Sequence, residues 1–171
     1  MGMNTDDIVF VDADMFLGMH SIQDSVRIAC KNLFVQRLWI GVAMTLEQIG
    51  ICDDVVWGFS RHVQSEYYPF MDTLHSVMAA RRVPYSWDDM RRAESDPRLQ
   101  ELEPSNALLL ARVCNEGAVL YSVQPELLER RDLPVRQAPT GTELQFPGGL
   151  EAAYRLSLAL RFEEPPHAPR F

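Results

Sequence analysis

An α/β fold built on a central parallel sheet is what this sequence predicts, and three observations predict it. Short continuous apolar runs, rich in β-branched and aromatic residues, occur at 8–11, 39–43 and 118–123 and read as strands buried on both faces. Between them lie segments whose apolar residues recur at helical spacing. Strands that alternate with helices imply right-handed crossovers and hence a parallel sheet.

The first strand, Ile8-Val9-Phe10-Val11, stops abruptly at Asp12-Ala13-Asp14. An acid at the carboxyl end of a buried strand sits where open α/β sheets bind ligands. The plainer alternative is a turn residue followed by a helix cap. Met15 to His20 is a short apolar segment. Ser21, with Asp24 three residues on, suggests a loose capping box for a helix over 22–37, whose buried stripe is Val26, Ala29, Cys30, Leu33 and Phe34. A second strand is expected at 39–43, followed by the first helical turn Thr45-Leu46-Glu47-Gln48-Ile49, which puts Glu47 just past a strand end like Asp12.

Asp53 is the expected cap of the next helix, through Val55, Val56, Phe59 and Val63 towards Tyr67. Pro69 is expected to interrupt it, because proline removes a backbone donor. Residues 82–85 form a short extended piece and 86–94 a charged helix. Pro104 suits a helix start, Gly117 suits its left-handed end, and 118–123 and 133–135 are further strands. Thr140 to Gly149 reads as a linker, 150–162 as a final helix with an apolar stripe, and the proline-rich 163–171 as a disordered tail. The expected organisation is therefore a domain over 1–138, a linker and helix over 139–162 that packs on the domain or a partner, and the tail.

The bulk numbers exclude several classes. At 171 residues and 47% hydrophobic, the chain fits one domain with a proper core. A net charge of −8 argues against broad attraction to nucleic acid. Local basic pairs, such as Arg81-Arg82 and Arg91-Arg92, read first as solvated helix surface. Cys30, Cys52 and Cys114 are odd in number and far apart, which fits buried thiols rather than disulfides or a zinc site. No apolar run reaches the roughly 18 residues needed to cross a bilayer, and the polar N-terminus is unlike a secretory leader. A cytoplasmic protein without a membrane partner is the expectation.

Three segments carry a family likeness: Val9-Phe10-Val11-Asp12-Ala13-Asp14; Thr45-Leu46-Glu47; and Pro104-Ser105-Asn106-Ala107-Leu108-Leu109-Leu110-Ala111, leading through Gly117-Ala118 to Leu120-Tyr121-Ser122-Val123-Gln124. Together they resemble a PIN-like domain. The resemblance implies a three-layer sandwich with a mainly parallel sheet, extended here by a C-terminal helix. It also implies acids gathered at strand ends around Mg²⁺ or Mn²⁺, and ribonuclease activity, including that of the toxins of toxin–antitoxin pairs. On that likeness Asp12 stands at the first acid and Glu47 at the second. Asn106 stands where the third acid is usual, and Gln124 where the fourth is usual.

The resemblance thus implies Asp12, Glu47, Asn106 and Gln124 as catalytic positions, and Asp12, Asp14 and Glu47 as metal ligands. Two amides in place of acids lower the charge available to hold two ions. Three readings follow: a metal-dependent phosphodiesterase acting on RNA; a catalytically degenerate binding or scaffold protein with a protein partner such as an antitoxin; and a pocket recruited to small-molecule metabolism. Small domains of this kind often dimerise, so a homodimer is expected. Outside these motifs, His62 and Glu66 lie four apart and read as a surface pair. His20 reads as a packing histidine. Trp57, Phe59, Tyr67, Tyr68 and Phe70 read as core or interface rather than a base-stacking platform.

Overall fold

The computed structural model describes residues 8–163. The N-terminal residues 1–7 and most of the expected tail, 164–171, lie outside the described residues. Five strands form one sheet in the order β3-β2-β1-β4-β5, and every pairing is parallel. They are β1 (Val9–Val11), β2 (Ala43–Thr45), β3 (Arg81–Val83), β4 (Val119–Tyr121) and β5 (Val135–Arg136). The helices are α1 (Ala13–Gly18), α2 (Asp24–Arg37), α3 (Leu46–Trp57), α4 (Arg61–Met78), α5 (Trp87–Ser95), α6 (Pro104–Asn115), α7 (Pro125–Leu128) and α8 (Gly149–Ser157).

Helices cover both faces of the sheet, as the period-two alternation of its strands requires. Val9, Val11 and Met44 join one core with Phe16, Phe34, Phe70 and Tyr154. Phe10, Ala43 and Leu120 point the other way, into a second core with Leu109, Leu110 and Leu127. This is the expected three-layer α/β sandwich.

The strand order carries a consequence for function. The chain moves outward from β1 through β2 to β3, then returns to pair β4 on the opposite side of β1. The reversal opens a crevice beyond the carboxyl ends of β1 and β4, the place where open α/β sheets take ligands. The register Val11↔Tyr121 brings residues 12 and 122 level at that edge.

Several elements differ from expectation. The second strand begins only at Ala43: Gly41 adopts φ +95 and breaks the extended run, leaving Trp39 and Ile40 exposed. Asp53 and Asp54 stay inside α3, and Ser60 caps α4 instead, accepting from the Val63 N–H at 3.4 Å. Pro69 lies within α4 without ending it, since the buried stripe of Tyr67, Phe70, Met71, Leu74 and Met78 continues on both sides. The cap of α2 is Gln23 rather than Ser21, whose hydroxyl accepts from the Gln23 N–H instead. α5 has a complete capping box between Ser86 and Asp89.

The C-terminal stretch is tied to the body of the fold. α8 ends at Ser157, earlier than expected, and packs on α4 with Leu150 and Tyr154 buried. Its apolar stripe is satisfied inside the chain. Within the expected linker, Glu143 accepts from Arg27 Nη1 at 2.9 Å and from the fully buried Lys31 Nζ at 2.8 Å. Lys31 also reaches Glu151 at 2.8 Å and lies 4.6 Å from the centre of the Tyr154 ring.

Candidate functional site

Asp12 ends β1 and begins α1, and local backbone needs explain its position. Its Oδ1 accepts the Met15 N–H at 2.9 Å, capping the helix. Across the crevice, Ser122 Oγ donates to Asp12 Oδ2 at 2.5 Å and Gln124 Nε2 donates to the same oxygen at 3.3 Å. The side chain is fully buried. Burial pushes the Asp12 carboxyl up to about 6, although the bonds from Ser122, Met15 and Gln124 pull the other way.

Asn106, on the first turn of α6, donates from Nδ2 to Gln124 Oε1 at 2.9 Å and to Glu126 Oε1 at 3.1 Å. A chain of polar groups therefore runs from Asn106 through Gln124 to Asp12. It links the start of α6 with the end of β4 and the end of β1. From the other flank, Gln48 Oε1 accepts the Ala13 N–H at 2.8 Å and pins the start of α1 to α3.

Asp14 is placed differently. It lies in the first turn of α1, is 4% exposed, and receives no hydrogen bond among the described residues. Burial raises its carboxyl to about 8, and the neighbouring charges of Asp12 and Glu126 add to the rise. Glu126 is exposed, in the first turn of α7.

The structure thus brings Asp12, Asp14, Asn106 and Gln124 to one crevice and adds Glu126, which sequence reasoning missed. A signal for it existed: Gln124-Pro125-Glu126 is a helix start with proline in the first turn, directly after a buried strand. Glu47 makes its contact elsewhere. It is exposed on the first turn of α3 and accepts the Tyr85 hydroxyl at 2.8 Å; that hydroxyl also lies 3.3 Å from Thr45 Oγ1.

The fit of these groups to Mg²⁺ or Mn²⁺ is poor. Among the described residues, no three His, Cys, Asp or Glu side chains converge as donors for one ion. Asp12 already gives three of its roughly four acceptor positions to internal donors. Asn106 and Gln124 are neutral amides bonded to each other.

The remaining candidates are structural. His20 is fully buried, with Nε2 at 2.8 Å from Ser157 Oγ, and burial pushes it down to about 3. Cys30 and Cys52 are buried free thiols and Cys114 is half-buried. Trp57 is exposed, while Tyr67 and Phe70 are core. No helix among the described residues is long and apolar enough to cross a membrane.

Residues 3–166 match the family of unknown function DUF6190, and the chain belongs to that family. No curated protein matches its sequence. Among solved structures it is similar to a chain described as a toxin–antitoxin complex from Klebsiella pneumoniae. The TM-score is 0.52 at 14% identity, covering 78% of this chain and 99% of that one. At that identity the likeness is one of fold.

Proposed function

We propose that this DUF6190 member is a PIN-like domain that has kept the strand-end crevice but not a metal-dependent nuclease centre, and that it works by binding a protein partner. The observation that carries this reading is the internal use of the acid shell. Asp12 is buried and bonded to Met15, Ser122 and Gln124, and Glu47 is bonded to Tyr85. Hydrolysis by two ions needs anionic oxygens to offset their repulsion, and Asn106 and Gln124 contribute none. The likeness in fold to a toxin–antitoxin complex agrees with a protein partner.

The test is cleavage of a fluorescent single-stranded RNA in millimolar Mn²⁺ by pure protein, wild type against Asp12→Asn. The expected result is no cleavage that depends on Asp12. Manganese-dependent cleavage by the wild type, lost in Asp12→Asn, would overturn the proposal and establish the phosphodiesterase reading.

A further inference from the structure

We propose that the partner protein docks on the β3 edge of the sheet, at the end opposite the crevice, through a segment that sets an acidic side chain into the cleft beside Arg82 and apolar side chains against Trp39, Ile40 and Val77. This rests on the binding reading above and names the surface and the chemistry of its occupant.

The apolar half of the surface comes from two pieces of chain. Trp39 is 77% exposed, Ile40 64% and Val77 38%. Single exposed apolar residues need no explanation, but these three lie on adjoining backbone. A Cβ built on Gly41 would stand 3.4 Å from the Met78 carbonyl oxygen, so the turn holding Trp39 and Ile40 lies against the end of α4. The Arg81 N–H donates to the Val42 carbonyl at 2.9 Å, which fastens the same turn to the start of β3. β3 is an edge strand, and no further strand among the described residues flanks it.

The polar half is a cleft of about 270 Å³ lined by Asp72, His75, Ser76, Ala80 and Arg82. Arg81 is already paired with Glu116, whereas the exposed Arg82 side chain makes no hydrogen bond or ion pair among the described residues. Asp72 lines the same cleft and forms no ion pair with it. His75 is stacked on Phe16, with ring centroids 5.1 Å apart, and its Nδ1 is buried without a partner. The fixed imidazole ring walls one side of the cleft, and the guanidinium is left to engage a ligand.

Three features favour a protein segment as the occupant. A guanidinium fork matches a carboxylate in charge and geometry. Pockets for small molecules commonly measure about 300–1,000 Å³, and this one is below that range, nearer the size of a side chain. Trp and Arg together are the residues that anchor protein interfaces. A lipid surface is held instead by clusters of about four to eight basic residues, and here one unengaged arginine stands beside an acid.

The experiment is an NMR titration of the nitrogen-15-labelled full chain with acetyl-Leu-Glu-Leu-amide and with its counterpart acetyl-Leu-Gln-Leu-amide. Wild type, Arg82→Gln, Ile40→Ser and the remote surface control Asp24→Asn are compared. Saturable shifts at residues 39–41 and 75–82 are expected with the Glu peptide. The Gln peptide binds about fivefold or more weakly, the size of a modest charge-assisted bond. Arg82→Gln abolishes that difference, Ile40→Ser weakens both peptides, and Asp24→Asn leaves binding unchanged. Arg82 and Ile40 are exposed, so these variants keep the fold. The proposal is overturned if the Glu peptide does not bind at millimolar concentration, if the two peptides bind alike to the wild type, or if binding ignores Arg82→Gln. Sedimentation with phosphatidylglycerol vesicles that is lost in Ile40→Ser would overturn it in favour of a lipid surface. Failure of the reading it rests on registers separately, as Asp12-dependent RNA cleavage.

Discussion

Two of the places where the fold buries ionisable groups are built in opposite ways. Around Lys31, one cation is enclosed with Glu143, Glu151 and the face of Tyr154, and Arg27 adds a second positive charge to Glu143. Around Asp14, a buried carboxyl feels the charges of Asp12 and of the exposed Glu126, with no positive charge among the groups that shift it. The first cluster is internally complete and fastens the 140–151 stretch to α2. The second is incomplete, and it lies at the crevice where the chain reverses its direction along the sheet. Buried charge that is satisfied belongs to stability. A buried carboxyl with no cation beside it keeps its proton instead.

Substitutions can break or sharpen that contrast. The largest effect is expected from Lys31→Met, which takes the buried cation from two glutamates and leaves Glu143 to Arg27 and Glu151 to Arg155. Urea denaturation should show a loss of about 3 kcal/mol, the low end for breaking a buried pair because both glutamates retain some solvent. A loss below about 0.5 kcal/mol, the range of ordinary surface changes, would mean the cluster is not a fastening.

Asp14→Asn should act in the other direction. The folded carboxyl is raised to about 8 against an ordinary value of 3.8. Below pH 4 both folded and unfolded chains hold the proton. Between about 4 and 8 the unfolded chain releases it while the folded chain keeps it, so stability falls as pH rises. The Asn variant lacks this component, and by pH 8 it should be more stable than wild type by about 1 kcal/mol or more, the cost of a buried unpaired polar group. A parallel pH dependence in the two proteins would contradict the placement of Asp14.

Smaller changes are expected at two further positions. Ser122→Ala removes the 2.5 Å bond to Asp12 and should cost about 1–2 kcal/mol in thermal denaturation. Glu47→Gln, at an exposed residue whose contact is Tyr85, should stay within about 0.5 kcal/mol in the same measurement.

The sheet was largely legible in the sequence because fully buried parallel strands are written as unbroken apolar runs, as at Val9–Val11 and Val119–Tyr121. The second strand was misplaced because Trp39 and Ile40 satisfy the same pattern while standing exposed before Gly41. The helix through Pro69 was misjudged because its packing stripe outweighs one lost backbone bond. At the site, Asp12, Asn106 and Gln124 were found through the family likeness, since spacing from strand ends is a local property. The bond of Glu47 to Tyr85 and the arrival of Glu126 beside Asn106 were not, because each depends on which side chains meet across the fold.

The most direct test of the central claim is a carbon-13 NMR titration of the aspartate carboxyls in the free protein. Midpoints near 8 for Asp14 and near 6 for Asp12 are predicted. Ordinary midpoints close to 4 for both would show that neither acid is enclosed at the strand ends in the way described, and would contradict the account.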